Sequence, residues 1–295
     1  MTPHCGRRPT PEELGLNVTI GIAATAFPGY IVAATDNRIS FDDIYPAAER
    51  GARKILRVSD NWYISFAATN VAVLKQIVQD IIRDVSLLKA IPSSSSMIQI
   101  AEKSYAERLK SDFAKKHLVQ FGYQTVEDFR REGLQDLGKD NYDKYIRMLA
   151  THDLGAELMI FGHVGQMPHL FVVNNPWRAE DRYILGYGVV GSGSMMALAA
   201  LRRKPMPPAL SDVIYRVLEA KFSSETASHV GPSTSLTVVN RDGHAGEFTE
   251  DEIEAVRKIW KRTLDEPSPK EALELIKRTG AVDIIRMRNE PSSEV

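Results

Sequence analysis

The sequence predicts an α+β fold of antiparallel sheets with helices packed against them. Short β-branched runs joined by tight turns come first, helical periodicity follows, and strands and helices then alternate in groups. Because hairpins predominate over strict strand–helix alternation, this order favours antiparallel layers over a doubly wound parallel sheet. We find no repeat and no long linker, so we expect one domain at 15–288, between an irregular lead at 1–14 and a polar tail at 289–295.

Two hairpins are predicted in the first seventy residues. The stretch 17–25 is rich in β-branched and small residues, and a Phe-Pro-Gly turn separates it from the apolar run 30–35. A second pair of runs, 54–58 and 62–67, flanks a Ser-Asp-Asn turn. These residue types are typical of strands and turns, so about four strands are expected here.

Helical spacing begins at Thr69, where apolar residues start to recur every three or four positions as far as Leu88. The Pro-Ser run 92–96 interrupts this pattern and offers N-caps for the next helix. The stretch 92–151 is therefore predicted to be a helical insertion. Its expected helices are 98–119, 125–131 and 141–149.

The second half of the chain returns to strands and ends mainly in helices. The predicted strands are 157–163, 169–173, 183–190, 234–239 and 280–288. The predicted helices are 194–203, 209–223, 250–264 and 267–278. Ser211 is a candidate N-cap, and the acidic residues at 250–254 suit the positive end of a helix dipole.

Charge and cysteine content exclude several classes of protein. The chain has 37 basic and 38 acidic residues, a net charge of -1 and a pI of about 6.7. This balance favours neither a nucleic acid nor a membrane surface as partner. A single cysteine, Cys5, excludes an intrachain disulfide framework and a metal site of several thiolates. Since no apolar run has the length of a signal peptide or membrane helix, we expect a cytoplasmic protein.

Five short motifs follow one another in a characteristic order. They are Val18-Thr19-Ile20-Gly21-Ile22, Ile31-Val32-Ala33-Ala34-Thr35-Asp36-Asn37-Arg38, Lys54-Ile55, Glu157-Leu158-Met159-Ile160-Phe161-Gly162 and Val190-Gly191-Ser192-Gly193-Ser194. In this order they resemble the proteasome β-subunit family, within the N-terminal-nucleophile hydrolases. The resemblance covers roughly residues 17–239. It implies a four-layer sandwich, two antiparallel sheets between helical layers, and subunits that assemble into rings.

The resemblance also implies a set of site residues. In such enzymes an N-terminal threonine attacks a peptide carbonyl, and a lysine held by an aspartate supplies positive charge beside it. Asp36 and Lys54 match the aspartate and the lysine, and Ser192 matches a serine near the amine of the nucleophile. Two other readings stay open. Asp36 and Lys54 could be an ion pair that only joins two strands, and Ser192 could serve only its Gly-Ser-Gly turn.

The nucleophile position departs from the family pattern. Asn17 stands there, and its amide cannot form an acyl-enzyme. Thr19 is two residues further on, which is about 6–7 Å along a strand, and attack geometry tolerates much less displacement. The family also has an acid and a serine before its later glycine turn. Here Glu225 and Ser228 are close to the matching places but not at them.

We therefore expect a proteasome-like subunit of a homo-oligomeric ring without the standard N-terminal threonine peptidase activity. The alternative is an active peptidase or other amide hydrolase that uses Thr19 after autocleavage. A hydroxyl such as that of Ser192 or Thr35, with Lys54 as base, is a further variant of this alternative. If the chain is active, the substrate would be a polypeptide or another amide.

Two other patterns point to different classes of protein. The sequence GYGVVG at 186–191 matches the dinucleotide fingerprint, but it falls inside a predicted strand rather than after one. His163 and His169 are predicted to lie on facing strands, but no third metal ligand has suitable spacing. We therefore expect no cofactor and no metal.

Overall fold

The chain folds into two antiparallel sheets and a set of helices, an α+β architecture as the sequence predicts. The computed structural model describes residues 20–36, 54–203, 205–227, 230–263 and 269–279. The strands are β1 (Ile20–Ala26), β2 (Tyr30–Asp36), β3 (Ile55–Arg57), β4 (Trp62–Ala68), β5 (Ala156–Val164), β6 (Met167–Asn174), β7 (Arg178–Asp181), β8 (Tyr187–Gly191), β9 (Thr234–Val239) and β10 (Ala245–Glu247). The helices are α1 (Val71–Ser86), α2 (Ser94–Phe113), α3 (Val126–Ala150), α4 (Ser194–Arg202), α5 (Leu210–Ser224), α6 (Glu250–Arg262) and α7 (Lys270–Lys277).

Each sheet contains five strands among the described residues. The first has the order β10-β9-β2-β1-β8, and the second has the order β3-β4-β5-β6-β7. One apolar cluster lies between the sheets, a second joins the first sheet to α4–α7, and a third joins the second sheet to α1–α3. This order of layers is compatible with the sandwich that the resemblance implies.

The two sheets approach closely where β1 crosses the second sheet. In β1, Ile22 and Ala24 belong to the helix-facing cluster, whereas Ala23 belongs to the cluster between the sheets. A Cβ atom on Gly21 would lie 2.7 Å from Ser65 Oγ and 2.9 Å from Val190 Cγ2. Only a glycine therefore fits between the sheets at this position.

The helical stretch 92–151 forms part of the core beside the second sheet. One face of α2 is buried, with the side chains of Met97, Ala101, Tyr105, Leu109 and Phe113 packed in that cluster. Tyr105 Oη donates a hydrogen bond to the carbonyl of Ala156 at 2.7 Å, and Trp62 Nε1 donates to the carbonyl of Pro92 at 3.0 Å. The stretch therefore fills the layer over β4 and β5.

The helical predictions differ from the structure at several ends. Predicted helix 98–119 begins at Ser94, after the N-cap Ser93, and a π-helical turn at Ala114–Leu118 follows its end at Phe113. The two predicted helices 125–131 and 141–149 lie within α3, which Gly138 interrupts with φ 70° and ψ 163°. Ser211 is not the N-cap of α5. Ala209 holds that position, and Ser211 Oγ donates to the Asp212 carboxylate.

The predicted strands also differ from the structure. Predicted strand 183–190 begins only at Tyr187, because the chain turns at Gly186, where φ is +70°. The short strands β7 and β10 were not predicted. The predicted strand 280–288 lies outside the described residues.

No helix in the described ranges combines the length and the apolar character that a bilayer crossing requires.

Candidate functional site

Asp36 and Lys54 form a buried ion pair that links the two sheets. Asp36 is the last residue of β2, and Lys54 directly precedes β3. Lys54 Nζ lies 2.8 Å from Asp36 Oδ1, and the two side chains are 6% and 0% exposed. Burial lowers the pKa of Lys54, and the negative charge of Asp36 opposes part of that effect.

Two backbone N–H groups also bind the Asp36 carboxylate. Ile20 donates to Oδ1 at 3.3 Å, and Gly231 donates to Oδ2 at 3.4 Å. Ile20 is the first residue of β1, so the ion pair lies where this strand begins. Asn17 and Thr19, the two nucleophile candidates, lie outside the described residues.

Ser192 lies at the same end of the first sheet but is separated from Asp36 by β1. Its neighbour Gly191 is paired with Ile20 across β1 and β8. The N–H of Gly191 donates to Glu157 Oε2 at 2.6 Å, which ties the turn to the second sheet. Ser192 itself is exposed. The structure thus brings Asp36 and Lys54 into contact and places Ser192 beyond the neighbouring strand.

A second group of charged side chains, which sequence reasoning missed, lies behind the ion pair. Lys221 on α5 is completely buried, and its Nζ donates to Glu225 Oε1 at 2.6 Å and to the Gly231 carbonyl at 2.9 Å. Arg257 on α6 also binds Glu225, and its guanidinium lies 4.1 Å from the centre of the Phe222 ring. Burial lowers the pKa of Lys221, and the Glu225 carboxylate opposes part of that effect.

Gly231 connects the two charged groups, because its N–H binds Asp36 and its carbonyl binds Lys221. Glu225 was noted from the sequence only as close to a matching acid. The available signal was the position of Lys221, which lies between the apolar residues Ala220 and Phe222 and is followed four residues later by Glu225. This spacing places the two charges on the same side of α5, whose residues 213–222 are buried.

A polar cleft of about 150 Å³ adjoins Lys54. Its other walls are Ile55, Ser233, Thr234, Ser235, Leu236, Thr237, Glu247, Phe248 and Glu250. A lysine with a lowered pKa is neutral more often than an ordinary lysine, so its amine can accept a proton from a nearby hydroxyl. Thr35 is completely buried in the first sheet, which argues against the use of its hydroxyl on a substrate.

The two other patterns do not form sites. The stretch 186–191 runs into β8, which pairs antiparallel with β1, so there is no strand–helix–strand unit around it. His163 Nε2 lies 2.9 Å from the Gly29 carbonyl, whereas the His169 ring contacts Trp62 on the opposite face of the sheet. Within the described ranges, no three His, Cys, Asp or Glu side chains are grouped as metal ligands.

Comparisons with protein-family models and with curated proteins gave no match. The functional assignment therefore comes from the motifs and from the contacts around Asp36 and Lys54. These contacts join residues of two separate sequence motifs.

The lowered pKa values of Lys54 and Lys221 predict a pH dependence of stability. Between these lowered values and 10.5, the folded chain binds fewer protons than the unfolded chain, so their contribution makes unfolding harder as pH rises. In the Lys54→Met variant one contribution is lost, so its unfolding free energy should rise less steeply as the pH increases toward 10.5. Urea denaturation at several pH values measures this slope. The exposed Lys103→Met variant controls for the loss of a lysine, and equal slopes for Lys54→Met and wild type would contradict the prediction.

Proposed function

We propose that this chain is a proteasome-like subunit of the N-terminal-nucleophile type that self-associates into a ring and lacks the standard threonine peptidase activity. The buried contact between Asp36 and Lys54 carries this proposal. The two residues were matched from different motifs, and they meet at the start of β1 in the relation that the resemblance implies.

The order of layers supports the same proposal. Two antiparallel sheets pack face to face, and helices cover the outer face of each. This is the arrangement that a proteasome-like subunit would have. The specific assignment to that fold is part of what we propose.

The absence of a standard nucleophile makes the subunit catalytically silent in this proposal. Asn17 stands at the matching position, and an amide cannot attack a carbonyl to form an acyl-enzyme. The ion pair is nevertheless retained for a physical reason, since the loss of either partner would leave the other charge buried and unpaired. A silent subunit would therefore keep Asp36 and Lys54.

An exposed apolar surface on α4 supports self-association. Met195 and Met196 are 80% and 48% exposed at the start of this helix. Methionine side chains adapt to many packing partners, and neighbouring exposed apolar residues are common at protein interfaces. We assign this surface to a contact with a neighbouring subunit.

Two observations favour the second candidate function, an active amide hydrolase. Lys54 lines a polar cleft, and the lowered pKa of its amine suits a general base. Ile20, the residue that follows Thr19, donates its N–H to Asp36. A chain cleaved before Thr19 would therefore begin one residue from the ion pair.

Hydrolysis of a panel of fluorogenic peptide amides separates the two functions. We expect the wild-type protein to release no more fluorophore than the Thr19→Ala variant. The variant Thr226→Ala, which removes an exposed threonine hydroxyl, is the matched control. Hydrolysis that persists in Thr226→Ala and disappears in Thr19→Ala would contradict the silent subunit and support the hydrolase.

A further inference from the structure

The segment 230–234 is held between the Asp36–Lys54 pair and the helices behind it. Toward the ion pair, the N–H of Gly231 donates to Asp36 Oδ2 at 3.4 Å. Toward the helices, the Gly231 carbonyl accepts from Lys221 at 2.9 Å, and the Pro232 carbonyl accepts from Arg257 at 2.7 Å. The same backbone therefore contacts both charged groups.

Glu225 holds the two cations that bind this segment. It accepts from Lys221 Nζ at 2.6 Å and from Arg257 Nη1, while Arg257 Nε lies 3.0 Å from Glu254 Oε2. The side chains of Lys221, Arg257 and Glu225 are 0%, 8% and 16% exposed. Charge-assisted hydrogen bonds with little solvent around them are strong and directional, so they fix the geometry of what they bind.

We propose that Lys221, Glu225 and Arg257 are positioning residues that act through the segment 230–234 to hold the Asp36–Lys54 pair in its buried geometry. This inference rests on the proposed function, because the ion pair is the site that supports it. Lys221 acts on the pair in two ways, because it binds the carbonyl of Gly231, whose N–H binds Asp36, and its charge also interacts with Asp36 directly. Arg257 acts through the carbonyl of Pro232 in the same segment.

Burial is the main cause of the lowered pKa of Lys54. We therefore expect this pKa to rise when the burial is reduced. If the segment loosens, the Gly231 N–H leaves Asp36 and water reaches the amine, so burial no longer disfavours the charged form. Among the described residues, Asp36 lies at hydrogen-bond distance from Lys54, and Glu247 and Glu250 line the same cleft. None of these is removed by a change at Arg257.

Competitive labelling with trace acetic anhydride, quantified by peptide mass spectrometry, measures this effect on the full chain in its native assembly. The midpoint of the pH profile reports the titration of the Lys54 amine, and the plateau reports its accessibility. The test variant is Arg257→Met, and Arg257→Lys restores the charge. The matched control is Arg262→Met on the same helix, whose partner Glu271 is exposed.

We expect Arg257→Met to move the Lys54 midpoint upward, toward that of exposed lysines, and to raise the plateau. Arg257→Lys should reverse part of the shift, and Arg262→Met should leave the profile unchanged. Glu225→Gln keeps the shape of the side chain and removes its charge, so it should shift the midpoint in the same direction even if Arg257→Met fails to fold.

Two results would overturn the inference in different ways. If the wild-type midpoint is low and neither Arg257→Met nor Glu225→Gln moves it, the positioning role is wrong and the proposed function is unaffected. If the wild-type midpoint already lies in the ordinary lysine range, the buried site itself is wrong, and the support for the proposed function is lost with it. Size-exclusion chromatography of the same samples reports assembly independently of either result.

Discussion

The Asp36→Asn substitution is expected to lower the free energy of unfolding by about 3–5 kcal/mol, the usual cost of removing one partner from a buried ion pair. Asparagine preserves the shape of the side chain but has only one acceptor oxygen, whereas the N–H groups of Ile20 and Gly231 bind different oxygens of Asp36. The loss therefore reports the missing charge together with one lost backbone hydrogen bond. Lys54, whose side chain is 6% exposed, would remain buried without its carboxylate.

Urea denaturation at a fixed protein concentration measures this loss, since self-association would make stability depend on concentration. The double variant Asp36→Asn, Lys54→Met removes both charges and should recover most of the lost stability. Asp60→Asn breaks an exposed ion pair with Arg57 and should cost about 1 kcal/mol or less. An Asp36→Asn cost as small as that of Asp60→Asn would contradict the buried pair.

Tyr105→Ala is expected to cost about 3–5 kcal/mol, as truncations of large buried aromatic residues do. Tyr105 is completely buried on α2, and its hydroxyl donates to the carbonyl of Ala156 in β5. The substitution would leave a cavity between the helical stretch 92–151 and the second sheet. It therefore tests whether this stretch is part of the core.

Urea denaturation measures the free energy of unfolding of Tyr105→Ala, and Tyr105→Phe is the matched control. Phenylalanine keeps the ring and loses only the hydrogen bond, so it should cost about 1–2 kcal/mol. If Tyr105→Ala costs no more than Tyr105→Phe, the ring makes no packing contribution. The stretch would then be an appendage rather than a layer of the core.

The strands that could be predicted from the sequence are mainly apolar ones that are bounded by turns with Gly or Pro. The strand at 234–239 was predicted with its observed bounds, and both early hairpins are present, because β-branched runs between turn residues leave few alternatives. The strands β7 and β10 could not be found in this way. Their sequences, RAED and AGE, are short and polar, and only pairing with β6 and β9 makes them strands.

The candidate site could be predicted only in part. Asp36 and Lys54 could be predicted because they lie in recognisable motifs. In the structure, Lys54 Nζ lies 2.8 Å from Asp36 Oδ1. Lys221 and Arg257 were missed because a charged residue on a helix usually faces solvent. Their burial is a tertiary effect that depends on how α5 and α6 pack against the segment 230–234.

Native mass spectrometry of the protein as isolated tests the central claim most directly, because it gives the mass of the assembly and, after dissociation, the mass of each chain. The silent-subunit proposal predicts a closed assembly of several copies. Each chain should have the 32.9 kDa mass of the 295-residue sequence, less Met1 where that residue is removed. A chain that begins at Thr19 would show that autocleavage has produced a nucleophile. A protein that is entirely monomeric would show that no ring forms. Either result would contradict the proposal.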